Sequence, residues 1–139
     1  MSNRVNTTSQ NEDNQINILL VEDQAADLIL LKKKIEKQWP EFQMTSANTI
    51  HEAEDAFIQN QFDAVILDLN LPDIDGVDAI VEMRKFNTNT PIIVLTGSLT
   101  SDNADKILKA GANNIFAKSE LVTNDDFYNI LAQNIGING

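Results

Sequence analysis

Two kinds of hydrophobic pattern alternate along the chain. Short apolar runs rich in branched residues, INILLV (16–21), DAVILDL (63–69) and PIIVLTG (91–97), are separated by stretches in which apolar residues recur every three or four positions. The first kind predicts strands buried on both faces, the second amphipathic helices. Ala25 to Gln38 carries Leu28, Leu31 and Ile35 at helical spacing, with Lys32, Lys33, Lys34 and Lys37 outside that stripe and Pro40 closing the segment. FQMTSA (42–47) suits a strand, and Thr49 to Asn60 suits a helix capped by Thr49 or Asn48 with Glu52 in its first turn. After a turn from Pro72 to Gly76, Asp75 to Phe86 carries Val77, Ile80, Val81 and Met83. Ser101 or Asp102 can cap a helix running to Ala110, where Gly111 supplies the stop. NIFAK (114–118) is a weaker fifth strand, and Asp125 or Asp126 starts a last helix with Phe127, Ile130, Leu131 and Ile135 on one face and Gly136 at its end.

Five strands alternating with five helices across short connections predict right-handed crossovers and a parallel sheet covered on both faces. The expected fold class is α/β: a doubly wound (βα)5 domain over residues 16–139. It is preceded by a polar tail, residues 1–15, expected to be mobile because only Val5 offers burial there.

Composition narrows the function. With 139 residues and 42% hydrophobic content the chain can build one core, and 21 acidic against 10 basic side chains give a net charge of −11. That field repels nucleic-acid backbones and anionic lipid, so no nucleic-acid partner is expected. The chain has no Cys and a single His, His51, which excludes thiol catalysis and His-rich or thiolate metal clusters. Neither a signal peptide nor an apolar run long enough to span a bilayer is visible, so a cytoplasmic protein without a membrane span is expected.

Doubly wound sheets bind ligands beyond the carboxyl ends of their strands, where the strand order reverses. There the predicted first strand presents Glu22 and Asp23, the third Asp68, the fourth Thr96 and the fifth Lys118. At an effective dielectric near 20, two like charges about 4 Å apart cost on the order of 4 kcal/mol, so converging carboxylates require a positive partner. Lys118 can neutralise one charge. A hard divalent cation such as Mg2+ can neutralise two through oxygen ligands, which leaves Asp68 as a candidate nucleophile. Each of these residues alone is also ordinary for a loop at a strand end, and the joint pattern carries the argument.

The motifs VED (21–23), LDLNLPDIDG (67–76), PIIVLTG (91–97), AGA (110–112) and AK (117–118) together resemble the receiver domain of bacterial two-component response regulators, of the stand-alone chemotaxis-regulator type. The resemblance runs from Ile16 to about Ile135 and implies a flavodoxin-like fold. It implies Asp68 as phosphoacceptor, Glu22 and Asp23 as the acidic pair holding Mg2+, and Asn70 as donor of a backbone carbonyl to that metal. Thr96 and Lys118 would contact the phosphoryl group. The implied protein is a phosphoacceptor signalling domain rather than a classical enzyme. Its partners would be a sensor histidine kinase or histidine phosphotransfer protein and a downstream protein target. The chemistry agrees: a carboxylate attacking a phosphoryl group needs in-line approach, neutralised equatorial oxygens and a fixed cation or hydroxyl donor. With no output domain expected after Gly139, the response would pass through altered protein contacts, by drawing Thr96 and the loop after it inward.

Two positions depart from the commonest pattern. Ile115 stands where such domains usually carry an aromatic residue, and the neighbouring Phe116 points to the opposite face and reads as core. Ser119 stands where Pro is usual, giving KSEL, so a trans link is expected after Lys118. Neither Asn70 nor Ser98 is an acid or base able to drive a water onto an acyl phosphate, so slow autodephosphorylation is expected. The Lys32–Lys34 patch reads as a solvated face, His51 as a surface residue, and Trp39 as remote from the site. Rival readings are a haloacid-dehalogenase-type phosphatase, a flavin binder and a receiver-like interaction module that acts without phosphorylation. The first is disfavoured by Asn70 two residues after Asp68 and by the short chain. The second is disfavoured by the repulsion of Glu22 and Asp23 toward a phosphate. The third draws its motive from Ile115 and Ser119.

Overall fold

The computed structural model describes residues 16–22, 25–69, 71, 74, 76–87, 89–97, 99–120 and 126–135. The expected polar tail (1–15), Asp23, Asn70, Ser98, Asp125 and Gly136 lie outside them, as does most of the turn before Gly76. In chain order the elements are β1 (Asn17–Val21), α1 (Ala25–Gln38), β2 (Gln43–Ala47), α2 (Ile50–Gln59), β3 (Ala64–Asp68), α3 (Gly76–Phe86), β4 (Ile92–Thr96), α4 (Ser101–Ala110), β5 (Asn114–Ala117) and α5 (Asp126–Ile135). The strands form one parallel sheet in the order β2-β1-β3-β4-β5, so the order reverses between β1 and β3. This is the doubly wound α/β fold expected from the alternation of patterns.

Strand parity sorts the core into two layers. Leu19, Val21, Val65, Leu67, Ile92 and Val94 face Ile50 and Ala53 of α2, Ala79, Ile80 and Met83 of α3, and Ile107 of α4. Ile18, Leu20, Ala64, Ile66, Ile93 and Leu95 face Leu31 and Ile35 of α1 and Phe127 and Leu131 of α5. Because β1, β3 and β4 are buried on both faces, no alternation of polar and apolar residues marks them in the sequence. Phe116 joins the α1/α5 layer and stacks edge-on with Phe127, whereas Ile115 packs on the other layer. The two residues point to opposite faces, as strand parity requires.

Polar side chains close the element ends. Asp63 Oδ2 accepts the Asn17 N–H at 2.8 Å while Asp63 N–H donates to the Asn17 carbonyl at 2.7 Å, which fixes the start of β1 against β3. Thr49, rather than Asn48, caps α2: its hydroxyl accepts the Glu52 N–H at 3.1 Å, and Glu52 Oε1 reaches back to the Asn48 N–H at 3.0 Å. The expected cap of α4 is corrected by one residue. Thr100, extended at φ −125 and ψ 164, accepts the Asn103 N–H at 3.2 Å, so Ser101 and Asp102 fall inside the first turn. Gly111 ends α4 at φ 126, a conformation that disfavours a side chain. The fifth strand also stops one residue short of the predicted run, since Lys118 has left the strand although its N–H still donates to the Thr96 carbonyl at 2.9 Å. On α3, Val81 is exposed and Ala79 takes the buried position beside Ile80.

Candidate functional site

Register places the site. Val21 pairs with Leu67, so Glu22 and Asp68 leave adjacent strands at the same level, on either side of the line where the strand order reverses. Asp68 lies beside Leu95 and Thr96 beside Ala117, which carries the edge across β4 to Lys118. Glu22 N–H donates to the Ala47 carbonyl at 2.9 Å, fixing the backbone just as the chain leaves β1.

Glu22 and Asp68 are both 0% exposed, and Thr96 is buried beside them on the edge. Lys118 reaches over β4 to both carboxylates: its Nζ lies 3.2 Å from Asp68 Oδ1 and 3.6 Å from Glu22 Oε1, with the lysine side chain 16% exposed. Among the described residues, one ammonium faces two buried carboxylates in a region that water barely reaches, so the cluster has more acidic than basic groups. Burial of a charge is costly unless it is compensated. The two carboxylates offer only oxygen donors, and in the sequence Asp23 directly follows Glu22 while Asn70 stands two residues after Asp68. That chemistry fits a hard divalent cation such as Mg2+ and does not fit a soft thiolate-preferring metal.

Four of the six residues expected at the site are therefore brought to one edge: Glu22, Asp68, Thr96 and Lys118. Asp23 and Asn70 lie outside the described residues. His51 is exposed on α2. Trp39 follows α1, at the end of that helix far from the carboxyl edge, and stacks on Tyr128 with ring centroids 4.6 Å apart. Lys33, Lys34 and Lys37 border a cavity of about 210 Å³ floored by Leu30, Ile35 and Phe127, between α1 and α5. Ile115 borders a shallow groove of about 500 Å³ with Leu99, Ala104 and Leu108.

Two polar anchors were not anticipated. Glu120 Oε1 accepts the Ala117 N–H at 3.2 Å, folding the segment after Lys118 back on β5. At the opposite end of the sheet, Arg84 donates from Nε (3.0 Å) and Nη2 (2.8 Å) to the Gly111 carbonyl, from Nη1 to the Thr90 carbonyl (2.8 Å), and from Nη2 to Asn113 Oδ1 (2.8 Å). Partial burial of the Arg84 guanidinium pushes its pKa down, and these acceptors replace the lost water.

Residues 18–127 match the response regulator receiver domain family, and the chain belongs to that family. Receiver domains as a family are phosphoacceptor signalling domains rather than classical enzymes. The chain is 33% identical to the transcription factor SKN7 of Saccharomyces cerevisiae over 114 residues, covering 82% of this chain and 18% of that protein. The chain spans less than half the length of the curated relatives it matches. Among solved structures, the non-phosphorylated HemR receiver domain from Leptospira biflexa superposes with a TM-score of 0.73 at 30% identity, covering 89% of this chain and 97% of that one. The receiver domain of the sensor histidine kinase PA1611 from Pseudomonas aeruginosa superposes at 0.70 and 26% identity, covering 88% and 98%. That structure has a magnesium ion coordinated in its active-site cleft. Among the described residues, no helix is long and apolar enough to cross a membrane.

Proposed function

We propose that this chain accepts a phosphoryl group on Asp68 from a phosphohistidine of a sensor histidine kinase or phosphotransfer protein, and signals through altered contacts with a downstream protein. The observation that carries the reading is the Glu22–Lys118–Asp68 cluster, buried where the strand order reverses. An Asp68 oxygen forms the new P–O bond as the P–N bond to the donor imidazole breaks, and the bonding pair leaves with the imidazole. Lys118, already beside Oδ1, neutralises the oxygens of the arriving group. The Thr96 hydroxyl, one strand across, donates to the acyl phosphate and couples it to the loop that leads to Thr100.

Glu22, Asp23, Asp68 and the Asn70 carbonyl would hold Mg2+, which when bound neutralises phosphoryl charge. A net charge of −11 favours a protein partner over nucleic acid for this module. The test is intact mass after incubation with acetyl phosphate and Mg2+, beside a chelator control. One added phosphoryl group that requires Mg2+ supports the proposal. Absence of an adduct with small donors and with histidine kinases would favour an interaction module that works without phosphorylation.

A further inference from the structure

The position of Lys118 raises a question of restraint. The residue has left β5, and no proline stiffens the chain from Lys118 to Asp126. For phosphoryl transfer to Asp68 its ammonium has to stay close to its present place, because productive geometry tolerates little drift. On its inner side the main-chain bond from Lys118 N–H to the Thr96 carbonyl, at 2.9 Å, holds the segment to β4. On its outer side β5 is the edge of the sheet, so the N–H of Ala117, next along the strand, faces away from β4. Glu120 Oε1 accepts that N–H at 3.2 Å, three residues further along, and closes a turn around Lys118 and Ser119.

We infer that Glu120 is a positioning residue: its carboxylate oxygen pins the edge of β5 and holds Lys118 against Asp68. The two restraints grip Lys118 from both sides of the strand, one through its own N–H and one through that of the preceding residue. What the turn needs from residue 120 is an acceptor of the right reach, and its charge is incidental. Glutamine therefore substitutes and alanine does not. The inference rests on the phosphoacceptor reading for its kinetic consequence, but the restraint itself does not.

The experiment compares Glu120→Ala and Glu120→Gln with the unaltered chain. It measures the initial rate of phosphorylation by acetyl phosphate in Mg2+ and amide hydrogen exchange residue by residue. In Glu120→Ala the rate falls by about tenfold or more, exchange at Ala117 and Lys118 accelerates, and exchange in β1 and β3 stays as in the parent, which shows that the fold is intact. Glu120→Gln stays within about twofold of the parent by both readouts, because its amide oxygen keeps the acceptor. A parental rate in Glu120→Ala, or equal losses in both variants, overturns the assignment. Should the parent chain itself take no phosphoryl group, the phosphoacceptor reading fails and exchange decides alone: acceleration at Ala117 in the alanine variant only supports the pin, and no change removes it.

Discussion

Lys118 and Asp68 meet at 3.2 Å although a whole strand, β4, lies between the strands that carry them. The contact spans the sheet because Lys118 sits just past the end of β5, where its long side chain can cross over Thr96. The same ammonium lies 3.6 Å from Glu22, so one cation serves two fully buried carboxylates. Stability and chemistry are therefore joined at this one residue.

Replacing Lys118 with Met leaves Glu22 and Asp68 buried with no lysine between them. Breaking a buried ion pair from one side costs about 3–5 kcal/mol. Urea denaturation should show a loss of that size in chelator and a smaller one in excess Mg2+, since a bound cation offsets part of the exposed repulsion. An unchanged midpoint in chelator would mean that the two carboxylates are not charged together in the folded state.

Asp68→Asn acts in the opposite direction. It removes the charge that Lys118 cannot fully compensate, so the melting temperature in chelator should rise above that of the parent. Mg2+ stabilises any protein that binds it only when folded, by about 2.7 kcal/mol at a hundredfold excess over Kd. The parent should show a Mg2+-dependent increment and Asp68→Asn little or none. An equal increment in both would place the cation away from Asp68.

Arg84 ties the C-terminal end of α4 and the segments leading into β4 and β5 to α3, through the Gly111, Thr90 and Asn113 oxygens. Arg84→Met should destabilise by about 2–4 kcal/mol, since several charge-assisted bonds are lost at once. Lysine should not rescue it, because one ammonium cannot reproduce the guanidinium fork. Gly111→Ala would place a Cβ 2.9 Å from Arg84 Cγ at a φ of +126, and should cost about 1–3 kcal/mol. The two losses should be less than additive, since each disturbs the same contact. Phosphorylation of Arg84→Met should proceed at the parental rate, because this clamp lies at the opposite end of the sheet from Asp68. A slowed reaction would show that α4 transmits strain along its length.

The acyl phosphate should persist far beyond seconds. The residues two positions past Asp68 and Thr96 are Asn70 and Ser98, and neither can deprotonate an attacking water. Following decay of the adduct after donor removal measures this directly, and a lifetime of seconds contradicts it.

Much of this architecture was legible in the chain itself. The runs of 16–21, 63–69 and 91–97 could hardly be anything but doubly buried strands, and Glu22, Asp68 and Thr96 announce themselves as the polar residues that end them. Lys118 was legible only with the pattern of the others, since its strand is short and its partners are far away in sequence. The cap of α4 was not, because Thr100, Ser101 and Asp102 are three cap-competent residues in a row and only backbone geometry chooses among them. Val81 was placed among the apolar positions of α3, but it lies one step around the helix from Ile80 and faces out. Arg84 and Glu120 were hidden for a different reason. Both bond to backbone groups, which leave no partner side chain to read, and the one side chain that Arg84 does reach, Asn113, lies 29 positions away. Arg84 did offer one signal, a cation four residues after Ile80 on the buried stripe.

Phosphoryl acceptance by Asp68 is tested by locating the phosphoryl group on the chain. Protein treated with acetyl phosphate and Mg2+ would be reduced with borohydride, which converts an aspartyl phosphate to homoserine, then digested and mapped by mass spectrometry. Homoserine is expected at position 68 alone, absent in chelator and absent from Asp68→Asn. Modification at another carboxylate, or a stable phosphoryl group on His51, would contradict it.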